Sequence, residues 1–297
     1  MNTSRRSLAA GLAGLAAAPL LSLPARAQLA SAAPAVGPAL RDRYAAALAA
    51  LPSNHRGYNA LSRSLERLDD MALNMGTGRF VLVNPAAQEV VAYQDGAEVL
   101  RSRVIVGTTR TRTPQMTTFL TTVRFHPPWY VPTSIIPEIR AQGAAGFQAV
   151  GNRLIQPPGP TNPLGPLRLG LFDSDGIFLH GTNRPAYFAR QSRALSHGCV
   201  RVEKVRELAA WMLDWDLRQV QSTLATGRTQ DILPLQDVQV AIAYLTVWPD
   251  QAGQLIGYPD IYGYDAPGTR LASVRRVFRP TQGDIETARA PTEDNPL

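Results

Sequence analysis

The sequence predicts a mostly β fold with α elements, made of a short N-terminal helical segment followed by one β-rich domain. Three observations carry this. From Arg79 onward, runs of β-branched and aromatic residues are punctuated by Gly, Pro, Asp and Asn turn signals. Helical spacing of apolar residues is confined to Tyr58–Leu73 and Glu203–Trp215, with a shorter candidate at Leu40–Ala50. No internal repeat is visible, and the chain is long enough to bury one large core.

Residues 1–27 read as an export signal. Arg5 and Arg6 form a charged start, Leu8 to Leu23 is apolar, and Ala25-Arg26-Ala27 supplies a small-x-small cleavage site, so Gln28 begins the mature chain. Ser4-Arg5-Arg6-Ser7-Leu8 fits a twin-arginine signal, with an ordinary secretory signal as the other reading. Gly11, Gly14 and Pro19 interrupt the apolar stretch, so no stable membrane span is expected. Residues 28–76 form a linker and short helical region. Ala30–Pro38 is Ala/Pro-rich, and Leu40–Ala50 is helical until near Pro52. Tyr58–Leu73 places Leu61, Leu65, Leu68 and Ala72 on one side and Arg63, Glu66, Arg67 and Asp69 on the other.

The β region then opens with Phe80–Val83 and Glu89–Tyr93, and Asp95-Gly96 turns the chain into Glu98–Val106. Thr118–Phe125 is a further strand. Residues 127–166 are Pro-rich and largely irregular, with a helical fragment near Ser134–Gln142. Leu167–Leu171 and Ile177–Leu179 flank the turn Asp173-Ser174-Asp175-Gly176 and deliver His180 at a strand end. Val205, Leu208, Ala209 and Met212 define the helix Glu203–Trp215, and Val238–Trp248 reads as one long central strand turned back at Asp250–Gly253. Residues 266–297 form a C-terminal extension whose tail from Thr281 has little apolar content and is expected to be disordered.

The formal net charge of +7 falls by three once Arg5, Arg6 and Arg26 leave with the signal. A mildly basic surface suits an anionic polymer, but no concentrated basic stripe of the kind nucleic-acid binding needs is present. Cys199 is the only cysteine. It cannot form an internal disulfide, and one sulfur is too few for a structural zinc site, so no metal site is expected. A lone cysteine is by default a small core hydrophobe. Its neighbours reverse that reading: Gly198 permits close approach, and His180 and His197 bracket the segment.

A thiol with a pKa near ~8.5 is mostly protonated at neutral pH, and a histidine in hydrogen-bond reach can take its proton and return it to a leaving amine. His197, two residues before Cys199, points along the same face if the segment is extended; His180 must be brought there by the fold. Both histidines are candidates for the base. Ser196 fits a loop-holding hydrogen bond better than a reactive role. Arg201 suits either a bidentate grip on a substrate carboxylate or an internal ion pair. Gly181, directly after His180, offers no side chain to orient the imidazole and is grouped with the substrate-facing backbone. If His180 is the base, its orienting partner is then a backbone carbonyl, with Asp173 or Asp175 as a second option. Arg184, Arg190 and Arg193 read as solvated charge, His55 and His126 as bystanders, and Trp129 and Tyr130 as core under a covering segment or as groove wall.

Ile177-Phe178-Leu179-His180-Gly181-Thr182 followed by Ser196-His197-Gly198-Cys199-Val200-Arg201 resembles the signature of the L,D-transpeptidases, the YkuD-domain family of cell-wall enzymes. Arg79–Gly107, Pro127–Pro132, Asn162-Pro163-Leu164-Gly165, Tyr244–Trp248 and Asp260–Gly263 resemble segments of its larger periplasmic subtype, so the likeness covers about Gly57 to Asp265. The resemblance implies a mixed, β-sandwich-like catalytic domain over residues 77–265, with a cap-like loop at 127–166 over the groove. It implies Cys199 as nucleophile and His180 as base, which places His197 and the backbone N–H groups of Gly198 and Cys199 around the oxyanion and substrate, with no metal or organic cofactor. The implied partners are peptidoglycan stem peptides, with acylation by carbapenems and a periplasmic location. The implied reaction attacks the bond between the L-centre of the third stem residue and the terminal D-alanine of a tetrapeptide. A neighbouring stem amine then resolves the thioester as a 3→3 cross-link. Water in its place makes an L,D-carboxypeptidase. A wall endopeptidase and a non-catalytic wall-binding protein are the remaining readings.

Overall fold

The computed structural model describes residues 36–73, 78–269, 274–278 and 284. The export signal, the linker before Val36 and, Asp284 apart, the tail from Thr281 lie outside the described residues. Helix α1 (Val36–Ala50) starts earlier than the sequence suggests, because Pro38 falls in its first turn, where a missing N–H costs nothing. Helix α2 (Tyr58–Met71) follows. Its buried face is Leu61, Ser64, Arg67, Leu68 and Met71, so Arg67, assigned to the outer side by spacing, lies inward, while Ala72 is exposed.

Strands β1 (Arg79–Asn84), β2 (Glu89–Gln94) and β3 (Ala97–Gly107) come next, and both Asp95 (φ 50°) and Gly96 (φ 83°) take the positive φ that a tight hairpin turn demands. β4 is Met116–Phe125. Residues 127–166 are more ordered than expected. β5 (Trp129–Tyr130), β6 (Gln148–Val150) and β7 (Arg153–Gln156) form a three-stranded sheet beside helix α3 (Ile136–Ala141). Such short strands leave too few residues for alternation to show. Val131, Ile136 and Leu154 form their separate small core, joined by Trp129 and Phe147.

The chain continues through β8 (Leu167–Leu171), β9 (Leu179–His180), β10 (Ala194–Ser196) and β11 (Val200–Val202), then helices α4 (Val205–Leu213) and α5 (Leu217–Ala225). Sequence reading missed α5, although Asp216 and Gln219 form a reciprocal capping box at its start. β12 (Gln230–Ile232), β13 (Val238–Ile242), β14 (Val247–Pro249), β15 (Leu255–Gly257) and β16 (Arg275–Arg276) complete the described strands. The single long strand expected over Val238–Trp248 is broken after Ile242. Side-chain amides take over its ladder: Tyr244 N–H donates to Gln115 Oε1, Leu245 N–H to Asn84 Oδ1, and Asn84 Nδ2 to Leu245 O.

The fold is mostly β with helices, as the sequence predicts. Eight strands pair in a closed circuit, β3–β11–β9–β8–β4–β13–β1–β2 and back to β3. Two clusters divide its residues. Val81, Val83, Val90, Ala92, Val240 and Ile242 join the larger cluster with α4, whereas Phe80, Leu82, Val91, Tyr93 and Ala241 pack against α1 and α2. β1, β2 and β13 are thus covered on both faces, which is why they read as continuous apolar runs.

Candidate active site

β9 and β11 run parallel in register, pairing Leu179 with Val200 and His180 with Arg201. Residues paired across neighbouring strands share a face. The circuit therefore sets His180 beside Arg201, two residues beyond Cys199, although nineteen positions separate His180 from the cysteine in sequence. His180 is 4% exposed, and Cys199 is half-buried. The Cys199 thiol donates to the Gly176 carbonyl at 3.5 Å.

Burial pushes the Cys199 thiol up; a backbone hydrogen bond at Phe178 and the cations of Arg201 and Arg168 act against it. Burial also takes His180 down to about 3, helped by Arg201 and Arg168 and opposed by the backbone of Gly181 and Leu164. At neutral pH the resting pair is therefore a thiol and a neutral imidazole. The backbone of Gly181 and Leu164 is close enough to favour the protonated imidazole, although His180 Nδ1 makes no hydrogen bond of normal geometry among the described residues. Asp173 and Asp175 instead bind Arg275.

The motif loop is held from three sides. Ser196, 2% exposed, accepts from Gly198 N–H at 3.1 Å and donates to the Cys199 carbonyl at 2.6 Å. Thr113 donates to the Gly198 carbonyl at 2.7 Å, Thr111 to the Ser196 carbonyl at 2.9 Å, and Tyr262 to the Gly107 carbonyl at 2.8 Å. Gly198 has φ +122°, so the segment is not extended through it, and His197 does not continue the face of Cys199. His197 is exposed and its Nε2 sits 3.2 Å from Glu138 on α3, which ties residues 127–166 to the motif. In this conformation the Gly198 N–H is engaged with Ser196. Gly181 is buried, and its N–H donates to Leu167 O at 2.9 Å.

The sequence profile of the L,D-transpeptidase catalytic domain (YkuD) matches residues 78–230, just over half of the chain. The chain belongs to the L,D-transpeptidase family. A Haemophilus influenzae protein carrying a provisional L,D-transpeptidase name is 32% identical over 217 residues, covering 62% of this chain and 44% of that protein. The chain thus matches under half the length of that relative. An L,D-transpeptidase from Mycobacterium smegmatis aligns at 14% identity and TM-score 0.32, over 57% of this chain and 60% of its own. The catalytic domain of an E. faecium L,D-transpeptidase, solved acylated by ertapenem, aligns at 12% identity and TM-score 0.30, over 54% of this chain and 98% of its own.

Within this L,D-transpeptidase domain, the Asn162-Pro163-Leu164-Gly165 turn has a clear local cause. Asn162 is fully buried; its Nδ2 donates to the Pro127 carbonyl at 3.0 Å, and its Oδ1 accepts from Leu164 N–H at 2.9 Å. Gly165 has φ +66°, and a Cβ there would stand 2.4 Å from Thr182 N, so only glycine lets the turn pack against the backbone after His180. Gly181 is confined less tightly, with a Cβ landing 2.9 Å from Pro166 Cδ.

Arg201 makes no ion pair among the described residues, its Nε is buried without a partner, and burial lowers its pKa, with Cys199 acting the other way. Sequence reading missed Arg168, Glu138, Thr111, Thr113 and Tyr262. Arg168 did carry a signal: it is the one charge in the strand Leu167-Arg168-Leu169-Gly170-Leu171. The others are polar residues in loops or on a short helix, where nothing local marks them. Arg184 and Arg190 both engage Tyr187, by a 2.9 Å hydrogen bond and by stacking at 4.2 Å respectively. Arg193 donates to the Val104 and Gln88 carbonyls. His126 Nε2 meets Leu224 O at 2.7 Å, and His55 Nδ1 accepts from Gly57 N–H, so both histidines are used structurally. Trp129 stacks edge-on with Phe147.

Proposed function

We propose that this chain is a peptidoglycan L,D-transpeptidase in which Cys199 is the nucleophile and His180 the general base. The observation that carries the reading is the parallel β9–β11 register, which sets a buried, neutral histidine beside the strand that begins directly after the one cysteine. A neutral imidazole can take the thiol proton as sulfur attacks, and it need not hold a charge in the resting state. Sulfur bonds to the carbonyl carbon at the L-centre of the third stem residue, and the oxyanion is met by the Cys199 N–H. His180 then returns its proton to the departing amine, D-alanine leaves, and a thioester remains. The amine of a neighbouring stem attacks that carbon, gives its proton to His180 and expels the thiolate, leaving a 3→3 cross-link; water at this step gives the tripeptide.

Arg201, with no carboxylate partner among the described residues, suits the substrate-carboxylate role of the two the sequence left open. Ser196 and Gly198 shape the loop, Gly181 gives His180 its close-packed setting, and residues 127–166 act as the cap through Glu138 and His197. Carbapenems, as strained acyl donors, acylate the same sulfur, and the twin-arginine-like start delivers the enzyme to the periplasm. The test is to incubate the mature protein with disaccharide-tetrapeptide and read the products by mass beside Cys199→Ala. A dimer lacking one D-alanine, absent with the variant, is expected. Turnover retained by Cys199→Ala would overturn the nucleophile assignment, and tripeptide alone would make the enzyme a carboxypeptidase.

A further inference from the structure

Strand register lines up five polar side chains across the sheet. Asp231 pairs with Arg124, Arg124 with Arg168, Arg168 with His180, and His180 with Arg201. Residues so paired share a face, so the candidate base stands between two guanidinium groups. Arg124 is neutralised within the row by two hydrogen bonds to Asp231, at 2.6 and 2.5 Å. Arg168 and Arg201 have no carboxylate partner among the described residues, and each carries a buried Nε with no hydrogen bond. Arg168 is 7% exposed.

A buried guanidinium without a counter-ion is costly, and neighbouring cations add to that cost. Burial and Arg124 lower Arg168 only to about 10, so it stays charged at neutral pH. The Arg168 guanidinium lies 4.6 Å over the Phe178 ring, which covers its face and leaves its in-plane N–H groups for a partner. Phe178 is also the residue whose backbone bonds Cys199, and both arginines act electrostatically on that sulfur. The unpaired charges therefore face the place where an acyl donor must sit.

We propose that Arg168 and Arg201 together form a carboxylate subsite beside Cys199 that selects acyl donors bearing a free carboxylate on the third or fourth stem residue. This rests on the L,D-transpeptidase reading. A stem tetrapeptide offers such a carboxylate from two sources: the side-chain end of a diaminopimelate third residue, and the terminus of the leaving D-alanine. Either suits the planar fork of a guanidinium.

The experiment uses the mature Cys199→Ala protein, which binds without turnover. Calorimetry compares three tetrapeptides: unmodified, amidated on the third-residue side chain, and amidated at the C-terminus. One amidation is expected to weaken binding about tenfold to about a hundredfold, the range for hydrogen bonds to charged groups. The identity of that amide names the source. Adding Arg168→Gln removes the discrimination, and Arg168→Lys, which keeps the charge, retains part of it. Equal binding of all three peptides to the parent, or unchanged discrimination in Arg168→Gln, would overturn the subsite. If Arg168→Gln fails to fold, Arg201→Gln is read in its place by the same criterion. Turnover by the Cys199 protein runs in parallel: no product from any donor removes the transpeptidase reading itself, whereas equal rates on all three remove the subsite alone.

Discussion

Arg67 and Arg168 are both buried arginines in this chain, and the fold treats them in opposite ways. Arg67, 1% exposed, reaches from α2 to Asp265 at 2.7 Å and donates to the carbonyls of Tyr244 and Tyr264 at 3.3 and 2.9 Å. Around it, Tyr244 donates to Asp260 at 2.7 Å, and Asp260 accepts from the N–H groups of Tyr264 and Asp265. Arg168 has no such network. The Nε of Arg67 is as unpartnered as that of Arg168, but its charge is met by Asp265, which fastens α2 to the segment around Tyr264. Arg168, left open, is the one we propose meets what enters the site.

The largest expected effect tests that contrast on stability. Arg67→Met strands Asp265 and should cost about 3–5 kcal/mol in urea unfolding, the usual price of breaking a buried pair. Arg168→Met, which removes an unpaired charge, should stay within about 1 kcal/mol of the parent or exceed it. Equal losses in the two variants would erase the distinction. Gly165→Ala comes next. With φ +66° and Thr182 N only 2.4 Å from the new Cβ, it should lose about 2 kcal/mol and much of the activity, because the strain falls on the backbone after His180.

His180 gives a pH test. Its pKa is about 3 in the fold against 6.5 in the unfolded chain, so between those values the unfolded state binds the extra proton. Stability above pH 6.5 is untouched and falls as the pH drops below it, by at most about 1.4 kcal/mol per pH unit. His180→Gln removes that slope, so its stability relative to the parent should improve from pH 8 to pH 5. A constant difference would show that burial and Arg201 do not depress this histidine. The smallest effect belongs to the cap: Glu138 and His197 are about half exposed, so Glu138→Gln should shift thermal stability by no more than about 0.5 kcal/mol.

Several features were legible because they are local. The thiol and its flanking glycine, the Asp95-Gly96 hairpin, the helical face Val205–Met212 and the β-rich runs each depend on residues a few positions apart. α5 was legible too, through Asp216 and Gln219, and was passed over. The misreadings share one cause. Arg67 turned inward because Asp265, nearly two hundred residues away, meets it there, and Val238–Trp248 broke because Asn84 and Gln115 capture its backbone. Neither partner is visible in a local window.

The amino-acid sequence by itself pointed to the mostly β class and to Cys199 as the candidate nucleophile, since residue type and short spacing set the chemistry, whereas His180 as candidate base came from the family resemblance. Tertiary structure alone decided that Arg168, His180 and Arg201 stand in one row, that Arg124 is neutralised and its neighbours are not, and that Glu138 meets His197. Strand register across a closed circuit is a non-local quantity. It is fixed by how all eight strands bury their apolar faces at once, and no stretch of the chain encodes it alone.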